Sequence, residues 1–79
     1  MDIKIYTSQG CFYCDQMKEL CKRAKVEYEA IGVSPEELRR LFPNAAGYPH
    51  VVIDGEEIGG LVESAKFFLK EGLVSANKG

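Results

Sequence analysis

The fold is decided by residues 2–14, DIKIYTSQGCFYC. Ile3 and Ile5 alternate with polar neighbours, a pattern that predicts a first β-strand over residues 2–6. A polar loop follows the strand, and a helix then runs from Cys11 or Phe12 to Ala24. The apolar side chains of that helix recur at helical spacing, at Met17, Leu20, Cys21 and Ala24.

Cys11 and Cys14 stand three positions apart at the predicted strand-to-helix junction. The unpaired N–H groups and the partial positive charge of a helix N-terminus favour a thiolate over a thiol at Cys11. A thiolate is the species that attacks disulfides. Cys14 lies about one turn further along, close enough for a disulfide. The segment therefore predicts a nucleophilic thiol with a resolving partner.

The composition is that of a soluble globular domain. The 79 residues are 46% hydrophobic and 28% charged, which predicts one domain over residues 1–79, with a loose tail over 73–79. A net charge of -2 gives no reason to expect nucleic acid as a partner. No apolar run approaches a membrane span. The N-terminal residues enter the strand pattern without a signal or transit peptide, so we expect a cytoplasmic protein.

Three cysteines do not form the even set of a disulfide-stapled scaffold. In a reducing cytosol the pair is catalytic or binds metal, and a zinc site needs four ligands. The remaining candidates are Cys21 and His50, and Cys21 lies on the core face of its helix, so we expect no metal. Cys21 lies about 10 Å from Cys14 along the helix axis and is expected to pack as a small hydrophobic residue.

The rest of the chain predicts a second strand, a capped helix, a hairpin and a last helix. These are residues 26–31, a helix from the cap Ser34-Pro35 to Phe42, strands over His50–Ile53 and Glu57-Ile58 joined at Asp54-Gly55, and Leu61–Glu71 with Gly72 as its C-cap. The order β-α-β-α-β-β-α predicts an α/β fold, with a four-stranded mixed sheet and helices on both faces.

Four features in this order resemble the glutaredoxin family, within the thioredoxin-like fold. They are Cys11-Phe12-Tyr13-Cys14 after the first strand, Tyr48-Pro49-His50-Val51-Val52-Ile53-Asp54, the pair Gly59-Gly60, and the short closing helix.

The resemblance implies that Cys11 is the nucleophile and Cys14 the resolving thiol, with glutathione as reductant and co-substrate. Pro49 matches the family's cis-proline. The implied glutathione-binding residues are Tyr13, Tyr48, Pro49, Gly59, Gly60, Leu61, Val62, Glu63, and Arg39 or Arg40 for the glycyl carboxylate.

The chain departs from the family pattern at several places. Phe12 replaces the usual proline between the cysteines, and Ser8 stands where many members carry a cation. Tyr48 replaces a valine, and residues 61–63 replace a more polar stretch that often contains an aspartate for the glutamyl amine. Glu63 is expected to take over that role.

The predicted function is glutathione-dependent thiol-disulfide exchange by a monomer, with protein disulfides or glutathionylated proteins as substrates. One alternative is an electron donor reduced by thioredoxin reductase, for instance for ribonucleotide reductase. A second is a [2Fe–2S] cluster carrier, with Cys11 of two subunits and two glutathiones as ligands.

Several of these residues also have a purely structural interpretation. Arg39 and Arg40 are equally typical of a solvated helix face. Gly59-Gly60 is also typical of a turn that lets a strand and a helix pack closely. For His50, a partly exposed strand position is favoured over a proton-shuttle role.

Overall fold

The computed structural model describes residues 1–74. Its elements are β1 (Ile3–Thr7), α1 (Phe12–Ala24), β2 (Glu29–Gly32), α2 (Pro35–Leu41), β3 (His50–Ile53), β4 (Glu56–Gly59) and α3 (Leu61–Lys70). This order confirms the predicted β-α-β-α-β-β-α arrangement. No helix among these residues is long and apolar enough to cross a membrane.

The four strands form one mixed sheet in the order β2-β1-β3-β4. β1 pairs in parallel with β2 and antiparallel with β3, and β4 extends β3 as an antiparallel hairpin. The hairpin turn lies at Asp54-Gly55, where both residues have positive φ, as the Asp-Gly signal predicts. A β-bulge between Val51 and Val52 shifts the register of β3 against β4.

The main core lies between the sheet and the helices α1 and α3. Alternate residues of β1 and β3 point to this side, because successive side chains of a strand face opposite ways. The buried cluster consists of Ile3, Ile5, Met17, Cys21, Val51, Ile53 and Phe68.

The other face of the sheet is covered from the α2 side. Tyr6 and His50 are register partners on this face, and the ring of Phe42, just after α2, packs against both. Leu38 of α2 is also buried. Helices therefore cover both faces of the sheet, as predicted.

The second strand begins later than predicted. Lys25 adopts the left-handed conformation after α1, and the N–H of Val26 donates to the carbonyl of Cys21 at 3.1 Å. This Schellman-type ending uses the backbone of residues 25–26 to close the helix, so strand pairing starts only at Glu29. Val26 and Tyr28 still pack against the core.

Helix α3 also has a Schellman-type ending, which directs the following residues back to the core. Gly72 has a φ of +74°, and the N–H of Leu73 donates to the carbonyl of Phe68 at 2.8 Å. Leu73 and Val74, predicted to belong to the tail, pack against the core instead. The rest of the predicted tail, 75–79, lies outside the described residues.

Candidate active site

Cys11 is the N-cap residue of α1. Its φ and ψ of −92° and 110° are extended, and its Sγ accepts a hydrogen bond from the backbone N–H of Cys14 at 3.0 Å. This N–H is one of the donors that a helix start leaves without an intrahelical partner. The same N–H and the helix dipole are available to a sulfur that carries negative charge at this position once the disulfide is reduced.

The two cysteines form a disulfide within one helical turn. Cys11 and Cys14 are bonded through their sulfur atoms, and their Cα atoms are 5.2 Å apart. Cys11 is partly exposed, whereas the side chain of Cys14 is 1% exposed. An incoming disulfide can therefore reach Cys11 but not Cys14.

The third cysteine takes no part in this pair. Cys21 is fully buried in the main core, and burial raises the pKa of its thiol from 9.0 to about 11. The neutral thiol packs as a small hydrophobic residue, as predicted. Among residues 1–74, no group of three or more His, Cys, Asp or Glu side chains is placed to hold a metal ion.

The Tyr48–Pro49 segment and the start of α3 form a second part of the site. The Tyr48–Pro49 peptide bond is cis, and Pro49 is buried. A Cβ on Gly60 would lie 3.5 Å from the Pro49 carbonyl oxygen, so the two segments run close together. At Gly59, φ is +123° and a Cβ would come within 3.1 Å of the Glu63 side chain, so this position requires glycine.

A surface cavity of about 270 Å³ joins these segments to the CxxC motif. It is lined by Tyr13, Tyr48, Pro49, Leu61, Val62 and Glu63. Six of the ten predicted glutathione-binding residues thus share one cavity. Gly59 and Gly60 line a second cavity of about 390 Å³, which is also lined by Pro49.

The rim of the first cavity is largely apolar. Tyr13 and Val62 are 59% and 61% exposed, and neighbouring Phe12 is 67% exposed. Of the residues that the structure describes, Glu63 contributes the one charged side chain to the lining. Its Oε1 accepts a hydrogen bond from the backbone N–H of Gly60 at 3.0 Å, so the carboxylate caps its own helix.

Arg39 and Arg40 are not brought into this cavity. Both lie exposed in the last turn of α2, and neither lines either of the two cavities beside Pro49. In this structure both arginines belong to a solvated helix face, which is one of the two interpretations that the sequence allows.

His50 differs from its prediction as a partly exposed residue. Its side chain is 6% exposed, and its Nε2 lies 3.0 Å from Oε1 of Glu57 on β4. The prediction is wrong because β3 is a central strand covered on both faces, where every residue is buried.

Sequence analysis also missed the role of the Tyr48 side chain. Its hydroxyl donates to the carbonyl oxygen of Val33 at 2.6 Å, fifteen residues away. The replacement of a valine by tyrosine was a usable signal, because a partly buried phenol needs a hydrogen-bond partner.

The site pairs an accessible cysteine at a helix N-terminus with a buried cysteine one turn away, on a thioredoxin-like sheet. This arrangement is that of a thiol-disulfide oxidoreductase. The glutaredoxin family model matches residues 3–58, and the chain belongs to the glutaredoxin family.

Solved structures agree with this fold. A thioredoxin-like protein, BC3987, is 32% identical with a TM-score of 0.65, and the match covers 85% of this chain and 99% of that one. Glutaredoxin from E. coli is 20% identical with a TM-score of 0.69, over 90% and 96% of the chains. Buckwheat glutaredoxin, solved in complex with glutathione, is 20% identical with a TM-score of 0.71, over 90% and 70%. Comparison with curated protein sequences finds no match.

Proposed function

We propose that this oxidoreductase reduces protein disulfides and glutathione mixed disulfides, and that glutathione returns it to the dithiol form. The observation that carries the proposal is the partly exposed Sγ of Cys11, which accepts the N–H of Cys14 at the start of α1. The neighbouring cavity is open to a ligand beside this sulfur's helix, and the family and the buckwheat complex support glutathione as that ligand.

The reaction consists of balanced exchanges of sulfur–sulfur bonds. The Cys11 thiolate attacks the substrate disulfide, forms a mixed disulfide and releases the first substrate sulfur as a thiolate. The Cys14 thiolate then attacks the Cys11 sulfur, closes the Cys11–Cys14 disulfide and releases the second. The substrate has gained two electrons, and the protein has lost two.

Two glutathione thiolates restore the dithiol. The first attacks Cys11, which releases Cys14 as a thiolate and leaves glutathione bound to Cys11 through sulfur. The second attacks the bound glutathione sulfur, which releases glutathione disulfide and the Cys11 thiolate.

In this proposal the tripeptide lies in the cavity between Tyr13 and the Tyr48–Pro49 segment. The backbone of Tyr48 pairs with its cysteinyl part in the manner of an added strand. The N–H groups at the start of α3, at Leu61 and Val62, receive the γ-glutamyl carboxylate, with Gly59 and Gly60 allowing close approach.

Charged groups complete the proposed glutathione site. Glu63 keeps Oε1 on the Gly60 N–H and offers its other oxygen to the γ-glutamyl ammonium. The exposed side chain of Arg39 or Arg40, which lies outside the cavity lining in this structure, reaches over from α2 to the glycyl carboxylate when glutathione binds.

The proposal is tested by a coupled assay with a small glutathione mixed disulfide, glutathione, glutathione reductase and NADPH. The Cys11→Ser variant should lose all turnover, because it lacks the nucleophile. The Cys14→Ser variant should still reduce the glutathione mixed disulfide, which needs only one thiol, but should lose activity on a protein disulfide. Turnover by Cys11→Ser would exclude the mechanism.

A second candidate is an electron donor that is reduced by thioredoxin reductase. It is favoured by the cavity lining, which among residues 1–74 contains a carboxylate but no cation, and by Ser8 at a position where many family members carry a cation.

The two candidates are separated by running both reductant systems side by side on the wild-type protein. Turnover with glutathione and none with thioredoxin reductase supports the first. NADPH oxidation that needs thioredoxin reductase and no glutathione supports the second, and the Cys11→Ser variant should be inactive in both systems.

A further inference from the structure

At each end of the Tyr48–Pro49–His50 segment, a side chain makes a polar contact with another part of the protein. At one end, the Tyr48 hydroxyl donates to the carbonyl oxygen of Val33 at 2.6 Å. At the other end, His50 Nε2 lies 3.0 Å from Glu57 Oε1. Neither side chain is needed to form the strand pairs, which use backbone groups only.

The Tyr48 bond connects this segment to the strand that leads to the reactive cysteine. Val33 uses both of its backbone groups, because its carbonyl accepts from Tyr48 and its N–H donates to the carbonyl of Thr7 at 3.1 Å. Thr7 is the last residue of β1, and only three residues separate it from Cys11. The bonds through Val33 therefore fix the Tyr48 backbone relative to the reactive sulfur.

The His50 bond connects the segment to β4, which leads into the start of α3. The imidazole is buried and packs on the ring of Phe42, with centroids 4.7 Å apart, and Phe42 packs in turn on Tyr6 at 4.9 Å. A ring held in this way has little access to water, so Glu57 is its polar partner. The bulge at Val51/Val52 places Glu57 opposite Val52, diagonal to His50 on the same face of the sheet.

We propose that Tyr48 and His50 are positioning residues that hold the Tyr48–Pro49 backbone edge at a fixed place beside Cys11, ready to receive the main chain of a substrate. The proposal rests on the proposed function, in which that edge pairs with the substrate's backbone. It makes these two side chains determinants of specificity, favouring disulfides within a polypeptide over disulfides without peptide groups.

The test compares substrates that have a main chain with one that has none. Fully reduced variants are mixed with glutathione disulfide, with insulin, and with bis(2-hydroxyethyl) disulfide, and the second-order rate of thiol loss is measured for each. Tyr48→Phe removes only a hydroxyl, and Glu57→Ala removes the partner of His50 from an exposed position.

Both variants should lose about two- to ten-fold in rate with glutathione disulfide and insulin, the factor that one net hydrogen bond is worth. Their rates with bis(2-hydroxyethyl) disulfide should fall by a smaller factor than their rates with the peptide substrates, because this substrate has no amide to pair with the edge. Tyr28→Phe and Glu56→Ala are matched controls, since each makes the same chemical change away from the segment, and neither should alter any rate.

Three results would overturn the inference. The first is an unchanged rate with both peptide substrates in Tyr48→Phe and Glu57→Ala. The second is an equal loss with all three substrates, which indicates a general structural defect. The third is a wild-type protein with no preference for either peptide substrate over the small one. If the wild-type protein reacts with insulin but not with glutathione disulfide, the proposed glutathione site is refuted but the positioning role is not. The rates of the variants with insulin then decide that role.

Discussion

Replacing Ser64 by alanine should make the protein more stable. Ser64 lies in the first half of α3 and is fully buried, and its Oγ has no hydrogen-bond partner among residues 1–74. A buried hydroxyl that has left water without gaining a partner destabilises the folded state. Alanine removes that oxygen and changes the side-chain volume by little.

Two terms set the size of the gain. An unsatisfied buried hydroxyl costs about 1–3 kcal/mol. Alanine is also a better helix former than serine, by about 0.5 kcal/mol. The small void left by the oxygen offsets part of this sum, so Ser64→Ala should raise the free energy of unfolding by about 1–2 kcal/mol. In a domain of this size, 1 kcal/mol corresponds to a Tm shift of about 4–8 °C.

Urea unfolding of the fully reduced protein measures the change without a contribution from the Cys11–Cys14 disulfide. Ser34→Ala is the matched control, because the Ser34 Oγ accepts the N–H of Glu37 at 3.2 Å as the N-cap of α2. That variant should lose about 1 kcal/mol. The same chemical change should thus have opposite signs at the two sites. A Ser64→Ala variant that unfolds at lower urea than the wild type would show that the hydroxyl has a partner.

Three further predictions concern α1 and its ends. The pKa of Cys21 is raised to about 11 by burial, so the unfolded chain loses this proton first as the pH rises above 9.0. The free energy of unfolding should therefore fall between pH 9 and 11, and urea midpoints across that window should fall less in Cys21→Ala. Lys25→Gly should stabilise the protein by about 1 kcal/mol, because Lys25 has a φ of 58°, whereas Lys18→Gly within the helix should cost about as much in the same thermal unfolding assay. Phe12→Pro should raise stability by about 0.4–1 kcal/mol, since Phe12 is the first helical residue and Cys11 has the extended backbone required before proline; a lower urea midpoint would contradict this.

The parts of the fold that the sequence predicted correctly depend on interactions between near neighbours. Ser34, Pro35 and Glu37 carry the complete signal for the start of α2 within four residues, and the capping box is present. The start of α1 and the turn at Asp54-Gly55 are equally local. A pattern that contains its own interaction partners can be interpreted without knowing the rest of the molecule.

The wrong predictions depend on contacts between distant segments or on an unexpected backbone conformation. The burial of His50 requires Phe42 to cover its face of the sheet, and no local pattern at residues 49–51 contains that information. The late start of β2 depends on Lys25, a residue type that rarely signals a left-handed helix ending. The packing of Leu73 follows from a helix ending that leads the chain back to the core.

The predictions about the candidate site also differ in whether they depend on local or distant contacts. The resemblance implies a site formed by the CxxC motif, the Tyr48–Pro49 segment and the start of α3. These segments share one cavity, because the order of the strands brings them to the same end of the sheet. Arg39 and Arg40 lie in the last turn of α2, outside the cavity lining, and their contact with glutathione stays a prediction. The hydrogen bond from Tyr48 to Val33 joins two separate loops, so the sequence of neither loop could predict it.

In the proposed mechanism, the order of the chemical steps follows from the positions of the two cysteines at the start of α1. An N-cap residue lies outside the helical spiral, so the Cys11 sulfur stays open to an incoming disulfide while it accepts the N–H of Cys14. The third helical position turns inward, so Cys14 is buried, and its sulfur is bonded to the sulfur of Cys11. Cys14 can therefore act only after Cys11 has carried the substrate sulfur to it. The spacing of three residues fixes both the reach of the disulfide and the sequence of the two displacements.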